Sequence, residues 1–291
     1  MNSGPAPAVL ANASFHPEAL IRDNDQDRFF AILFAPADKR PHLFALYAFN
    51  LEIARIREAV SDPMLGEIRL QWWRDALQGE ARGDVRANPV AAALDAAIVR
   101  FRLPRSAFVD LIDARVFDLY DDPMPSIADL EGYCGETSSV LIRLASLIMA
   151  EGEDPGAADA AGHAGVAYGI TGLLRAFPWH ARRGQVYVPG DVLARHGVTR
   201  EDIVSGHGGP GLLSALDDMR EVARKHLDRA RGLHDTIPAS IAPAFLPAAL
   251  VPGYLRRMSR RDYGPFRTVA DLPQWEKLAR LWWAAKRGQP F

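Results

Sequence analysis

The sequence predicts an all-α fold, and two features of the 291-residue chain lead to that prediction. Apolar residues recur at helical spacing along almost its whole length, and no run of alternating β-branched residues resembles the pattern of a sheet. Clusters of proline, glycine and aspartate separate the helical stretches, and none is long enough to link two domains. We therefore expect one helical domain over residues 21–291, after a flexible leader at residues 1–20.

The individual helices follow from this punctuation. The first two are predicted over residues 21–34 and 41–60, and Pro41 is tolerated because the N–H group of a first-turn residue has no partner within the helix. A third helix begins near Pro63. Later helices are predicted over residues 88–101, 105–119, 127–149, 157–177, 212–233, 241–259 and 272–285.

Composition excludes some classes of function. The 34 Lys and Arg residues nearly balance the 36 Asp and Glu residues, so no overall basic field favours nucleic acid as a partner. The single cysteine, Cys134, allows no disulfide framework and no cysteine-based zinc site, and we expect it to be buried. Residues 1–15 do not have the pattern of a secretory signal. These features favour a location in the cytoplasm.

The most membrane-like segment is ASIAPAFLPAALVPGYL, at residues 239–255. It is barely long enough to span a bilayer, and its three prolines favour a kinked core helix. The alternative is peripheral contact with a lipid or with the inner face of a membrane, because a group of arginines follows it. These arginines are Arg256, Arg257, Arg260 and Arg261.

A first motif, LFALYAFNLEIARIRE at residues 43–58, resembles the "YAFCRxxDDxxD" helix of the squalene/phytoene synthase family. In that family, carboxylates one helical turn apart share Mg²⁺ ions that are bound to a substrate diphosphate. The corresponding positions in this chain are Ala54, Arg55 and Glu58. One carboxylate beside arginines is a poor Mg²⁺ site, so an arginine that binds a phosphate or a carboxylate directly is the functional alternative.

A second motif, GVAYGITGLLRAFPWHARRGQVYVP at residues 165–189, resembles "GxAxQxxNxxRDxxEDxxRGRxYxP" of the same family. The metal-binding and polar positions of that pattern are occupied here by Gly169, Gly172, Ala176, Trp179 and His180. The motif also contains a proline at residue 178, which removes a backbone donor and clashes with the preceding turn. We therefore expect the helix to end or to kink there.

One branch of the family shows a similar "LRAxPxH" sequence followed by a basic stretch, namely the mitochondrial assembly factors for respiratory complex I. Residues 174–203 resemble that branch, and a weaker resemblance to the family extends over roughly residues 21–286. The resemblance implies the isoprenoid synthase fold, which is a single bundle of helices around a central cavity.

The resemblance also supplies candidate ligand-binding residues for the cavity and for the diphosphate-like positions. These are Tyr47, Arg55, Glu58, Arg175, His180, Arg182, Arg183 and Tyr187. Guanidinium groups suit phosphate oxygens, but a basic surface loop explains Arg175, Arg182 and Arg183 equally well. Packing is the alternative explanation for the two tyrosines. We predict no catalytic residue and no metal ligand, because the histidines form no pair at i,i+4 spacing and His180 has no evident partner.

Two hypotheses about function follow. The first is a family member that has lost its Mg²⁺–diphosphate sites and needs no cofactor. It would bind a prenyl or lipid ligand, or serve the assembly of respiratory complex I beside a subunit of that complex. The second is an active head-to-head prenyl-diphosphate transferase, which would require Mg²⁺. Four tryptophans are expected to be core or interface aromatics, namely Trp72, Trp73, Trp282 and Trp283.

Overall fold

The computed structural model describes residues 7–81 and 83–291, with side chains from residue 16 onward. These ranges contain helices and no strand, which confirms the all-α prediction. In chain order the α-helices are α1 (Pro7–Asn24), α2 (Gln26–Ile32), α3 (Arg40–Ala54), α4 (Ile56–Ala59), α5 (Pro63–Gln78), α6 (Pro89–Phe101), α7 (Arg105–Arg115), α8 (Ile127–Cys134), α9 (Val140–Met149), α10 (Ala158–Arg182), α11 (Gly190–Arg195), α12 (Arg200–Val204), α13 (Gly209–Gly232), α14 (Ala242–Phe245), α15 (Val251–Met258) and α16 (Gln274–Arg287). A π-helical turn, Gly135–Ser139, joins α8 to α9.

The start of the chain differs from the prediction. Residues 1–6 of the predicted leader lie outside the described residues, whereas residues 7–20 belong to α1, where we expected no helix. The predicted helix at 21–34 is divided between α1 and α2, because the Asp25 side chain accepts a hydrogen bond from the backbone N–H of Arg28 and so starts a new helix.

The residues separate into two compact units. The first comprises Met1–Leu119 and Leu144–Pro155, and the second comprises Tyr120–Arg143 and Gly156–Phe291. Neither unit is continuous in sequence, and no linker or shift of composition marks the boundaries. The interpretation of residues 21–291 as one domain therefore rests on the sequence alone.

Helix α3 forms the centre of the first unit, where it packs against α1 and α6. Every residue from Leu43 to Asn50 is buried, as expected of a helix that is apolar on nearly all sides. The ring of Phe49 meets those of Trp73 and Phe108 edge to face, at centroid distances of 5.2 and 5.5 Å. These contacts fix the rotation of α3 and therefore the direction in which its last turn presents side chains.

Helix α6 begins where the sequence predicts it, because its start is determined locally. The side-chain oxygen of Asn88 accepts hydrogen bonds from the backbone N–H groups of Val90 and Ala91 at 2.9 and 3.0 Å. Pro89 occupies the first helical position, where its missing donor is not needed. Capping of this kind stabilises a helix by about 1 kcal/mol.

Helix α10 is the centre of the second unit, where it packs along α13 and against the π-helical turn. The approach to that turn is close enough to require glycine. A Cβ atom at Gly165 would lie 2.2 Å from Cα of Ser139, and one at Gly169 would lie 3.0 Å from Sγ of Cys134. Cys134 is buried at this contact, as predicted.

Of the two predicted outcomes at Pro178, an end or a kink of the helix, the end is wrong, because α10 continues to Arg182. The proline removes only one hydrogen bond, the one to the carbonyl group of the residue four positions earlier. Phe177, Pro178 and Ala181 are all buried, so tertiary packing stabilises the last turn despite that loss. The backbone N–H groups of Arg183 and Gln185 then close the helix on the carbonyl oxygen of residue 180.

The segment at residues 239–255 is a broken core helix rather than an exposed one. It consists of the 3₁₀ turns Ala239–Ile241 and Leu246–Leu250 together with α14 and α15. Most of its apolar side chains are buried, and α16 packs over Leu246–Leu250. None of the helices in the described part of the chain has the length and apolar character needed to cross a membrane.

The two kinds of glycine position on α10 give a stability prediction. A Cβ atom at Gly172 meets nothing within 4 Å, so Gly172→Ala should stabilise the protein by about 0.5–1 kcal/mol through helix propensity. Gly165→Ala should destabilise it by about 1–3 kcal/mol, because the methyl group meets backbone atoms. Urea unfolding of the two variants measures both effects. Shifts of the same sign would contradict the packing described for α10.

Candidate functional site

Tyr47 lies inside the first unit, on the buried part of α3. The guanidinium group of Arg28 lies 5.0 Å from the centre of its ring, and Arg28 pairs with Asp25 at 2.7 Å. Burial raises the pKa of Tyr47 to about 12, and the nearby arginine opposes that shift only in part. The phenol therefore stays protonated at neutral pH.

Arg55 and Glu58 lie at the junction of α3 and α4, where the helix predicted over 41–60 is interrupted. Arg55 lies between Ala54, the last residue of α3, and Ile56, the first residue of α4. Its Nη2 donates a hydrogen bond to Oδ1 of Asn24 at 2.7 Å, and this neutral amide does not cancel its charge. Both Arg55 and Glu58 are exposed, so the two predicted residues stand at the surface of the unit.

A cavity of about 340 Å³ lies beside this junction. Its walls are mainly apolar, with Trp72 and Trp73 from α5 on one side and Leu51 and Ile56 on the other. The polar groups on its wall come from Arg55, Glu52, Arg69 and Asn88. Its volume falls within the range of small-molecule sites, which combine mainly apolar walls with a few polar groups. Tyr47 and Glu58 are not on its wall.

Glu52 is a residue of this cavity that the sequence analysis missed. It is half-buried, and burial raises its pKa, while a hydrogen bond with Asn88 and the charge of His16 lower it. The only signal in the sequence was its position three residues before Arg55, where it shares a helix face with that arginine. A second, larger cavity of about 920 Å³ lies beside α5 and α6, and none of the candidate ligand-binding residues from the sequence analysis lines it.

The positions of the second motif lie on one face of α10 in the second unit. Gly172, Ala176 and His180 follow one another at four-residue intervals along a continuous helix. The ring of His180 lies 4.7 Å from the ring of Tyr187, and Tyr187 lies 5.8 Å from Tyr133. The cavity next to His180 and Tyr187 measures only about 10 Å³, which is too small for a ligand. The structure thus brings these two predicted residues together by packing.

Arg175 is held by the fold. Its guanidinium group lies 3.7 Å from the ring centre of Tyr254, and it donates hydrogen bonds to the carbonyl oxygen of Ala270 and to Oδ1 of Asp271, each at 3.2 Å. The same carboxylate oxygen forms an ion pair with Nζ of the buried Lys277 of α16, at 2.9 Å. Arg175 therefore connects α10 to the segment that leads into α16.

Arg182 and Arg183 are exposed at the end of α10. The guanidinium group of Arg182 lies 5.5 Å from the ring of Trp179, which is itself 53% exposed. These arginines fit the alternative that we gave for them, a basic surface at the end of a helix. Contact with a ligand in this region remains a prediction.

A hydrogen-bonded chain of three side chains in the second unit was not anticipated. Nε2 of His226 lies 2.8 Å from Oε1 of Glu131, and its Nδ1 lies 3.0 Å from Nδ1 of His163. The three residues come from α13, α8 and α10, so no spacing in the sequence could reveal them. His226 uses both ring nitrogens within the chain. Among the described residues no group of three His, Cys, Asp or Glu side chains is arranged to hold a metal ion.

The model of the squalene/phytoene synthase family matches residues 21–278, and the chain belongs to that family. This match confirms the family resemblance seen in the sequence. Two solved structures confirm the isoprenoid synthase fold. A dehydrosqualene synthase in complex with ligand has a TM-score of 0.81 at 16% identity, and covers 97% of this chain and 98% of its own. The squalene synthase HpnC from Alicyclobacillus acidocaldarius has a TM-score of 0.68 at 22% identity, with 97% of each chain covered.

Relatives with higher sequence identity have a different name. The NADH dehydrogenase (ubiquinone) complex I, assembly factor 6 of Rattus norvegicus is 34% identical over 247 residues, which is 85% of this chain and 74% of the relative. The human protein of the same name is 33% identical over the same shares. The phytoene synthase of Arthrospira platensis is 26% identical, with 84% of each chain covered.

The paired histidines give a prediction about pH. Burial lowers the pKa of His163 from its ordinary value of 6.5, and the neighbouring His226 and Arg229 lower it further, against Asp159 and Glu131. The unfolded chain therefore binds more protons near pH 6, and stability is full above pH 6.5 and is lost as the pH falls through the lowered pKa. His163→Asn should flatten this loss between about pH 7 and 5, as measured by urea unfolding at each pH.

The matched control for that experiment is His207→Asn, because His207 is exposed on the surface of the same unit. The free energy of unfolding of this variant should depend on pH with the same slope as that of the original protein. His42 also has a pKa lowered by burial and by Arg100 and Lys39, so part of the slope persists in both variants. An unchanged slope in His163→Asn would show that the histidine pair does not govern this pH dependence.

Proposed function

We propose that this protein is a non-catalytic member of the squalene/phytoene synthase family that serves the assembly of respiratory complex I. In this proposal it works inside the cell, peripherally at the inner face of the membrane, and binds a prenyl or lipid chain without a metal cofactor. The observation that carries the proposal is the replacement of both acidic motifs in a chain that is 34% identical to complex I assembly factor 6.

The replaced positions support the loss of Mg²⁺ chemistry. Magnesium requires oxygen ligands in near-octahedral geometry, usually from carboxylates and bound phosphates. Ala54 and Arg55 in the first motif, and Gly172 and Ala176 in the second, offer no carboxylate at all. The residues at these positions therefore do not fit the Mg²⁺ ions that bind diphosphate in the family's enzymes.

The contacts of the retained residues support the same conclusion. Arg175 matches the family pattern, yet it holds Asp271 and Ala270 and packs against Tyr254. His180, at an acidic position of the pattern, packs against Tyr187. A diphosphate site would need these groups to be directed at the ligand, whereas here they are used to stabilise the fold.

The cavity beside α4 supports an amphipathic ligand. Its volume of about 340 Å³ is enough for part of a prenyl or acyl chain between Trp72, Leu51 and Ile56. Arg55 and Arg69 on the same wall suit an anionic head group, since a guanidinium group binds phosphate or carboxylate oxygens without a metal. The expected partners are thus such a lipid and a subunit or assembly intermediate of complex I.

Deletion of the gene in its own organism tests the assembly role. Membranes of the deletion strain should lose NADH:quinone oxidoreductase activity several-fold, while the content of carotenoids and hopanoids stays unchanged. Reintroduction of the original gene should restore the activity. Unchanged complex I activity in the deletion strain would contradict the proposal, and loss of isoprenoids would favour the second candidate function.

The second candidate function is an active head-to-head prenyl-diphosphate transferase, which the similarity to phytoene synthases favours. Such an enzyme would have to stabilise the departing diphosphate with arginine side chains in place of carboxylate-bound metal. The purified protein, supplied with farnesyl or geranylgeranyl diphosphate, Mg²⁺ and NADPH, should form no product. A phytoene synthase assayed in parallel provides the positive control, and comparable turnover by this protein would overturn the proposal.

A further inference from the structure

Helix α16 presents an apolar stripe on the side opposite its buried face. A rotation of about 100° per residue places Trp275, Trp282 and Lys286 nearly on one line, with Leu278 and Trp283 on either side of it. The buried side of the same helix is formed by Lys277 and Leu281, on the other side of the axis. The outer face of this helix is therefore largely apolar although its side chains are exposed.

The exposure of this stripe is unusual for the surface of a protein. Trp275 is 71% exposed, Trp282 48%, Trp283 50% and Leu278 40%. The chain contains only six tryptophans, so half of them stand on the outer face of one 14-residue helix. Single exposed apolar residues are common, but a contiguous aromatic patch marks a surface that another molecule covers.

The charges around the stripe are basic. Both charged residues near its start are engaged within the fold, since Glu276 pairs with Arg280 at 2.8 Å and Lys277 with Asp271 at 2.9 Å. At the other end, the ammonium group of Lys286 lies 4.8 Å from the ring of Trp282. The guanidinium group of Arg287 lies 5.1 Å from the ring of Trp283. The stripe thus combines indole rings with two cations and has no acidic residue of its own.

We propose that the outer face of α16 docks on an anionic lipid bilayer. Indole rings are favoured at the level of the lipid head groups, where their apolar body is buried and their N–H group stays hydrated. Lysine and arginine beside them attract lipid phosphates. A helix of this length is too short to span the bilayer, so it lies in the interface plane.

The support beneath α16 keeps this face in place. The helix packs over Leu246–Leu250, the apolar segment that looked most membrane-like in the sequence. A Cβ atom at Gly253 would lie 2.8 Å from Cδ1 of Leu272 and 2.9 Å from Nε of Arg280, so α15 lies very close to the base of α16. Residues 239–255, where membrane contact was the alternative to a kinked core helix, are therefore covered by α16, and the exposed apolar face belongs to α16. This inference rests on the proposed peripheral location and names its surface.

Binding to vesicles tests the proposal directly. The purified full-length chain should co-sediment with phosphatidylcholine vesicles that contain phosphatidylglycerol, and much less with phosphatidylcholine alone. The triple variant Trp275→Ala, Trp282→Ala, Trp283→Ala should bind roughly tenfold more weakly or worse, because three interfacial rings are lost. The double variant Lys286→Glu, Arg287→Glu should also lose binding to the anionic vesicles. Because it keeps the three tryptophans, it tests the proposal even if the triple variant does not fold.

The matched control is the double variant Val204→Ser, Leu213→Ser on α12 and α13. These side chains are 38% and 44% exposed, but neither helix contains a tryptophan, and vesicle binding should be unchanged. Loss of binding in this control equal to that in the α16 variants would overturn the assignment to α16. Undiminished binding of both α16 variants, or equal binding to neutral and anionic vesicles, would overturn it as well.

Light scattering tests whether a second copy of the chain, rather than a bilayer, covers this face. A dimer of the original chain that becomes monomeric in the tryptophan variant would show that a second copy covers the stripe, and would overturn the proposal. The result is also independent of the proposed assembly role, because vesicle binding is measured on the purified chain. Complex I activity in the deletion strain can be lost or kept whichever way the vesicles behave.

Discussion

The second unit depends on how closely α10 approaches the π-helical turn Gly135–Ser139. Only glycine at residue 165 allows that distance, since any side chain would overlap the backbone of Ser139. The approach sets the position of α10 along its neighbours and brings His163 on this helix to His226 on α13. It also fixes which face of α10 carries residues 172, 176 and 180. A π-helical turn at such a contact is itself frequent near functional sites.

The same constraint explains how the fold can persist without the metal site. Gly165 and Gly169 of the second motif belong to helix packing, and Arg175 belongs to the contact with Asp271 and Tyr254. Carboxylates can be replaced without loss of these contacts, because Gly165, Gly169 and Arg175 do not stand at the acidic positions of the motif. Family membership therefore defines the architecture, and the chemistry has to be argued from the residues that remain.

Features that depend on neighbouring residues in the sequence were predicted, whereas features that depend on contacts between separate helices were not. The start of α6 was predicted within one residue, because Asn88 and Pro89 determine it locally. The break at Arg55 and the passage of α10 through Pro178 were not predicted, and the second of these depends on the burial of Phe177, Pro178 and Ala181 by tertiary packing. The predicted site residues fared likewise. Arg55 lines a cavity, whereas Arg175 and His180 are engaged in packing, and Glu52 and the histidine pair were missed because their significance arises only when separate helices meet.

The sequence by itself determined the all-α class, the family and the identity of the residues at its two acidic motifs, because helical periodicity and ungapped motifs are local properties of the chain. Only the tertiary structure decided which apolar surface is covered. The apolar segment at 239–255 is buried beneath α16, and this packing leaves the tryptophans of α16 outside. Hydropathy records that a segment is apolar, but exposure depends on which neighbours pack over it.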